Sequence, residues 1–276
     1  MSDDLASAGV PHGPPVFLSL SEFDARPVRG ILTDIDDTLT RDGRLPAEVY
    51  TAITRLVAAG IPVVPVTGRS AGWAHLIAHH WPVEAVITES GGLCLHRQRG
   101  QLHWLFHDGR ARIADDRARL AEVAQRVIAA VPELRIADDN AFRLVDYAID
   151  HAEAVVPAAD PARVATAIAM IRGEGFNARA SSVHINAWRG DFDKAPMAMH
   201  YLEAVLGLAP AAIRDHWCFI GDAPNDESMF AAFPLSVGVA NLAPVADRLV
   251  HRPRWLTRAS HGEGFVEFAT HLLAAR

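Results

Sequence analysis

Lysine is nearly missing from this chain. Lysine and arginine together number 26, yet Lys194 is the single lysine, which leaves 25 arginines. A chain-wide bias toward arginine explains the ratio. A surviving lysine is then either chance or a place where a compact ammonium does what a planar guanidinium cannot. Cysteine is scarce as well. Cys94 and Cys218 are the only two, and Cys218 lies in the apolar run Trp217-Cys218-Phe219-Ile220. That argues against a disulfide framework and makes the cytoplasm the expected compartment. No apolar run approaches the roughly 18 residues that a membrane span needs. The opening Met-Ser-Asp-Asp has no basic, then apolar, leader. The net charge is −7 without blocks of one sign, so neither nucleic acid nor an anionic membrane is an expected partner.

What is present is a chain of 276 residues, half of them hydrophobic, enough for one large or two modest domains. Its most informative stretch is Ile31-Leu32-Thr33-Asp34-Ile35-Asp36-Asp37-Thr38, a β-branched run that delivers three carboxylates at a strand end. Alternation along a strand sends Asp34 and Asp36 to the same side. Two carboxylates held together repel unless something positive joins them, and a hard divalent cation such as Mg²⁺ meets that need.

Strand-then-helix alternation begins at residue 28. Residues 28–34, 61–66 and 85–88 read as buried strands, with helices over 46–59 and from about 70 to 80. After residue 194 the alternation resumes, with a helix over 194–206, strands at 217–220 and 235–240, and a last helix over 264–275. This predicts an α/β fold, a doubly wound, Rossmann-like parallel sheet. The middle differs. It shows a hairpin over 94–107 turning at Arg99-Gly100, long helices over 110–130 and 161–172, and strand-like runs at 142–149 and 177–187, an α+β pattern.

Four chemically loaded positions fall at strand ends or a helix start: Asp34 with Asp36, Thr67, Lys194, and Asp222 with Asn225 and Asp226. Ligands of open α/β sheets bind at such carboxyl ends, so these groups can converge. Asp34 to Thr67 spans 33 residues and Lys194 to Asp222 spans 28, each about one strand-helix unit, whereas Thr67 to Lys194 spans 127. The excess marks an inserted domain. The expected division is a tail and lead-in at 1–27 (loose over 1–15), a core from 28–91 and 188–276, and an α+β cap at 92–187.

With these motifs in order, Asp34-Ile35-Asp36-Asp37-Thr38, Thr67-Gly68-Arg69, Lys194 and Gly221-Asp222-Ala223-Pro224-Asn225-Asp226, the chain resembles phosphatases of the haloacid dehalogenase superfamily. The large insert resembles the type IIB cap subgroup, which includes sucrose, trehalose and mannosyl-3-phosphoglycerate phosphatases. The resemblance runs from about residue 28 through Gly238-Val239-Ala240-Asn241 to the C-terminus. It implies Mg²⁺-dependent hydrolysis of a small phosphorylated metabolite, expected to be a sugar phosphate, through an aspartyl-phosphate. Asp34 would be the nucleophile and Asp36 the acid and base. Asp34, the Asp36 carbonyl and Asp222 would hold Mg²⁺, and Thr67 and Lys194 would bind phosphoryl oxygens. Asn225 and Asp226 would support metal and lysine, and Thr38 would either orient Asp36 or serve only as a turn residue. Gly68, Arg69, Glu89 and Ser90 are candidates for substrate contact, Glu89 and Ser90 because they sit at the core-to-insert junction. Asp37 stands where the family often has glycine and reads as a turn residue or an outer acceptor.

Other readings compete. A DxD glycosyltransferase leaves Thr67, Lys194 and residues 221–226 unexplained. A two-component receiver has the wrong motif order and length. A phosphomutase or a non-catalytic sugar-phosphate sensor could share the scaffold, although a sensor should have lost the nucleophile or the acid. His75, His79 and His80 share a helix but lack a further ligand for zinc. In the insert, Arg143, Arg172, Arg179, His184 and Asn186 could read substrate hydroxyls, but surface or sheet roles account for most of them. The chain is expected to act as a monomer or homodimer.

Overall fold

In the computed structural model, which describes residues 17–276, six strands build one parallel sheet. Their spatial order is Leu18–Ser19, Trp255–Leu256, Leu235–Gly238, Trp217–Gly221, Gly30–Thr33 and Val63–Pro65. These short β-branched runs have no polar face because helices cover both sides of the sheet. Ala47–Ala58, Ala71–His80 and His261–Ala274 contribute to one apolar cluster, which includes Ile53, Ile77 and Phe268. Lys194–His200, Pro210–His216 and Glu227–Ala232 contribute to the other, which includes Met197, Ile213 and Phe230. From Gly30–Thr33 the chain runs outward to Val63–Pro65, and the later strands lie on the opposite side. The switch point therefore falls between Gly30–Thr33 and Trp217–Gly221, where open sheets bind ligands.

The tail expected to be loose over 1–15 lies outside the described residues, and in the lead-in Leu18–Ser19 pairs with Trp255–Leu256 as an edge strand. Two expectations are corrected. Ala85–Thr88 is not a regular member of the parallel sheet. It touches that sheet by one bridge, Val66 to Ile87, and pairs antiparallel with Leu93–Gln98, which turns back into Gln101–Phe106. This hairpin was grouped with the insert from residue 92, yet Leu93 and Leu95 pack in the main core. A hairpin has the same local pattern wherever it docks, so only the packing assigns it.

The cap proper is a four-stranded antiparallel sheet in the order Arg135–Ile136, Tyr147–Asp150, His184–Trp188 and Asn177–Ala180. The run read as one strand over 177–187 is two strands turning at 181–183. Helices Ile113–Ala130 and Pro161–Gly173 cover one face, where Ile149, Ala178, Ile185 and Ala187 share a cluster with Val127 and Ile171. Period-two alternation sends His184, Asn186 and Arg179 to the other face, and each of these makes a polar contact there.

Core and cap meet at Glu89-Ser90-Gly91, three successive residues with positive φ of 49, 57 and 95°. A Cβ on Gly91 would fall 2.1 Å from the Asp193 carbonyl oxygen, so the joint lies directly against the start of the Lys194 helix. Gly91→Ala is therefore expected to destabilise the fold by about 2 kcal/mol or more, since left-handed strain alone costs of order 1–3 kcal/mol. Urea denaturation checks this, with unchanged stability as the contrary result.

Candidate active site

Each loaded residue emerges from the sheet's carboxyl edge. Asp34 follows Gly30–Thr33, and its amide donates to the Ile220 carbonyl at 3.0 Å, which ties it to the neighbouring strand. Asp222 follows Trp217–Gly221, and Thr67 lies just past Val63–Pro65. Because these three strands are adjacent, their ends converge. Lys194 arrives from the far side of the cap at the first position of a helix capped by Asp193, whose carboxylate accepts the Lys194 amide at 2.7 Å.

The Lys194 ammonium is 1% exposed and lies 2.6 Å from Asp34 Oδ1 and 2.7 Å from Asp226 Oδ1. Burial works against its charge, but Asp226 and Asp34 outweigh that and raise its pKa well above the ordinary lysine range. Burial also raises Asp34 far above the usual carboxylate range, with Lys194 opposing and Asp226 and Asp36 adding to it. Asp222 is raised in the same way, first by burial and then by Asp34 and Asp226. Carboxylate oxygens of Asp34, Asp222 and Asp226 lie within 4.8 Å of one another, all three residues buried.

The surrounding groups orient this cluster. Asp226 Oδ2 accepts the amides of Asp222 and Ala223 at 3.1 and 3.3 Å, and with Lys194 on Oδ1 both its oxygens are engaged. Thr38 Oγ1 donates to Asp222 Oδ1 at 3.1 Å. Asn241 Nδ2 donates to Asp222 Oδ2 at 3.0 Å and to the Asp37 carbonyl at 3.1 Å. Asp37 itself takes a left-handed turn, φ 60°. Asn241 was visible only as part of a motif string. Its position after Leu235–Gly238, the strand beside Asp222, is the signal that marks it as a support.

The Thr67-Gly68-Arg69 loop is tightly held. Thr67 Oγ1 accepts the Arg69 amide at 3.0 Å, and Arg143 Nη1 and Asn186 Nδ2 both donate to the Gly68 carbonyl at 2.9 Å. These two cap residues therefore grip the core loop instead of standing free to meet a ligand. Arg69 forks onto Asp36, with Nε 3.0 Å from both carboxylate oxygens and Nη2 2.7 Å from Oδ1.

Glu89 departs from expectation. It is fully buried and accepts the amides of Ala71, Leu144, Val145 and Asp146 at 2.5 to 3.1 Å. A carboxylate saturated by four amides is a joint between core and cap, not a free substrate ligand. A junction carboxylate looks the same in sequence whether its partners are amides or a substrate. Ser90 does lie beside Lys194 and Asn225, at a small pocket between core and cap. The histidines form no metal cluster among the described residues; His75 and His79 pack ring to ring, 4.6 Å apart.

Comparison with known proteins bears on the fold that carries this cluster. Residues 31–104 match the haloacid dehalogenase-like hydrolase family. No curated protein matches the chain. Among solved structures, a protein from Thermoplasma acidophilum aligns at TM-score 0.69 and 20% identity, over 89% of this chain and 98% of the other. Sucrose-phosphatase from Synechocystis, solved with sucrose and phosphate, aligns at TM-score 0.60 and 18% identity, over 90% and 98%. A haloalkanoate superfamily phosphatase from Bacteroides thetaiotaomicron aligns at 0.59 and 16%, over 97% and 99%. Residues 31–104 thus resemble haloacid dehalogenase-like hydrolases, and the solved structures share the fold of almost the whole chain, core and cap together.

Removing the ammonium would leave two carboxylates buried without a partner, which typically costs about 3–5 kcal/mol. Lys194→Ala is expected to lose stability on that scale in chemical denaturation. Lys194→Arg is expected to lose most activity because a planar fork does not replace a point charge between two carboxylates. Near-wild-type stability of the alanine variant would contradict the first expectation, and near-wild-type turnover of the arginine variant the second.

Proposed function

We propose that this hydrolase is a Mg²⁺-dependent phosphomonoesterase acting on a small phosphorylated metabolite, with a sugar phosphate as the favoured substrate and the cytoplasm as its compartment. The observation that carries the reading is the single lysine, buried between Asp34 and Asp226 at the sheet's switch point, with Asp222 beside them. Together with Thr67 at the adjacent strand end, this set leaves nothing over, whereas a DxD glycosyltransferase has no use for Thr67, Lys194 or Asp226.

Asp34 would attack phosphorus through a carboxylate oxygen, and covalent catalysis would split one hard displacement into two easier ones. Asp36 would give a proton to the departing alkoxide and then take one from the hydrolytic water. Thr67 and the Lys194 ammonium would meet the phosphoryl oxygens as charge spreads over them.

The donor set suits a hard cation. Lys194 and two amides occupy Asp226, which leaves Asp34 and Asp222 as oxygen donors, joined in this reading by the Asp36 carbonyl. Asn225 Oδ1 is buried beside them with no hydrogen-bond partner among the described residues, as suits an atom that meets a cation's water. When bound, Mg²⁺ would supply positive charge at the phosphoryl oxygens.

A cleft of about 820 Å³ runs between the cap helix Pro161–Gly173 and the core loops, reaching Asp222 and Asn225 and taking in Arg179, Ser181, Ser182 and Asn241. Its volume suits a small leaving group.

Two measurements test the proposal. Phosphate release should be seen from one or more members of a panel of sugar, glycerate and nucleotide monoesters, and should disappear when EDTA removes the metal. Asp34→Asn should lower turnover by at least about three orders of magnitude while circular dichroism shows the fold intact. Release from no ester, or an active Asp34→Asn variant, would contradict it.

A further inference from the structure

Arg69 is shared between core and cap. Its Nε–Nη2 edge takes the Asp36 carboxylate, while Nη1 donates to Glu153 Oε1 of the cap at 2.6 Å. The other oxygen of Glu153, Oε2, lies 2.7 Å from His184 Nε2 on the cap strand His184–Trp188. Arg69 is 8% exposed and His184 2%, while the Glu153 side chain between them is 42% exposed, so two buried groups converge on a carboxylate at the solvent edge of the core–cap contact. The Trp73 ring lies 5.6 Å from the guanidinium carbon and adds a further constraint. Glu153 is itself presented on a braced turn: Asp150 Oδ1 accepts the amides of Ala152 and Glu153 at 3.0 and 2.8 Å, and Oδ2 accepts that of Ala154 at 2.8 Å. The chain thus spends one carboxylate to hold another in place. His184 and Arg69 hold Glu153 in its charged form, with a pKa of about 2.

We propose that Glu153 is a positioning residue for the proton-transfer step: by fixing Arg69 from the cap, it sets the orientation of the Asp36 carboxyl, so that cap closure and leaving-group protonation are coupled. The inference rests on the phosphatase reading. In that reaction the Asp34 oxygen–phosphorus bond forms, the bond from phosphorus to the ester oxygen breaks, and the ester oxygen leaves with the proton of Asp36. With Glu153 on Nη1, every nitrogen of the guanidinium is engaged, so the cap contact helps to fix the plane in which the fork meets Asp36. With the cap open, Glu153 would leave with it, and the acid would lose its alignment until a bound substrate closed the site.

Such a role has a signature that general destabilisation lacks. An alkyl phosphate needs its leaving oxygen protonated, whereas p-nitrophenyl phosphate releases a stable phenolate that does not. Glu153→Gln keeps the shape and removes the charge. It is expected to lower kcat on an alkyl phosphate at least tenfold more than on p-nitrophenyl phosphate, with Glu153→Asp falling between variant and wild type. Equal losses on both esters, or no loss on either, would overturn the inference. If Glu153→Gln fails to fold, the Glu153→Asp ratio decides alone, and a ratio equal to wild type would overturn it. If the wild-type enzyme hydrolyses neither ester, the phosphatase reading fails first and takes this inference with it.

Discussion

A dry ammonium between two carboxylates governs this structure. Adjacent parallel strands deliver Asp34 and Asp222 to one edge, and Asp226 follows a turn later; without a cation among them, burial and mutual repulsion would protonate or expel these groups. Lys194 resolves most of that conflict from inside the protein. It also explains why the one lysine of an arginine-rich chain stands where it does: the space between Asp34 Oδ1 and Asp226 Oδ1 is sized for a point charge.

The remaining architecture is arranged around delivering that ammonium. Lys194 follows the cap in sequence, so the cap's last strand, His184–Trp188, leads into the helix that carries it. Where cap meets core, Glu89 binds amides from both sides, and Gly91 packs against the carbonyl of Asp193. Arg143 and Asn186 reach back to the Gly68 carbonyl, with Asp146 between them, its pKa raised to about 7 by burial against the pull of Arg143. The cap and the Thr67-Gly68-Arg69 loop therefore share one buried polar network. Such networks are costly when half satisfied, which ties the position of the cap to that of this loop.

The core site was legible because its signals are local. Asp34, Thr67, Lys194 and Asp222 each sit at a strand end or helix start that hydrophobic runs mark on their own, and the spacing between them reveals the insert. What could not be read depends on partners distant in sequence. Glu89 resembles a ligand until four amides are seen on it. Arg69 and Asp36 are 33 positions apart, and Glu153 carries no motif at all. The hairpin Leu93–Gln98 with Gln101–Phe106 was recognisable as a hairpin, but its place in the main core follows only from what Leu93 and Leu95 touch. Alternation within the cap strands did carry information: it separates Ile185 and Ala187, under the helices, from His184 and Asn186, which face the core.

The central claim is that the Asp34 carboxylate becomes covalently bonded to phosphorus during turnover. Borohydride reduces an aspartyl phosphate to homoserine, and peptide mass spectrometry can locate the product. Quenching the enzyme during turnover of a hydrolysed ester and reducing it at once should place homoserine at position 34, dependent on substrate. An unreduced Asp34 under conditions of active turnover, or homoserine at another aspartate, would contradict the account.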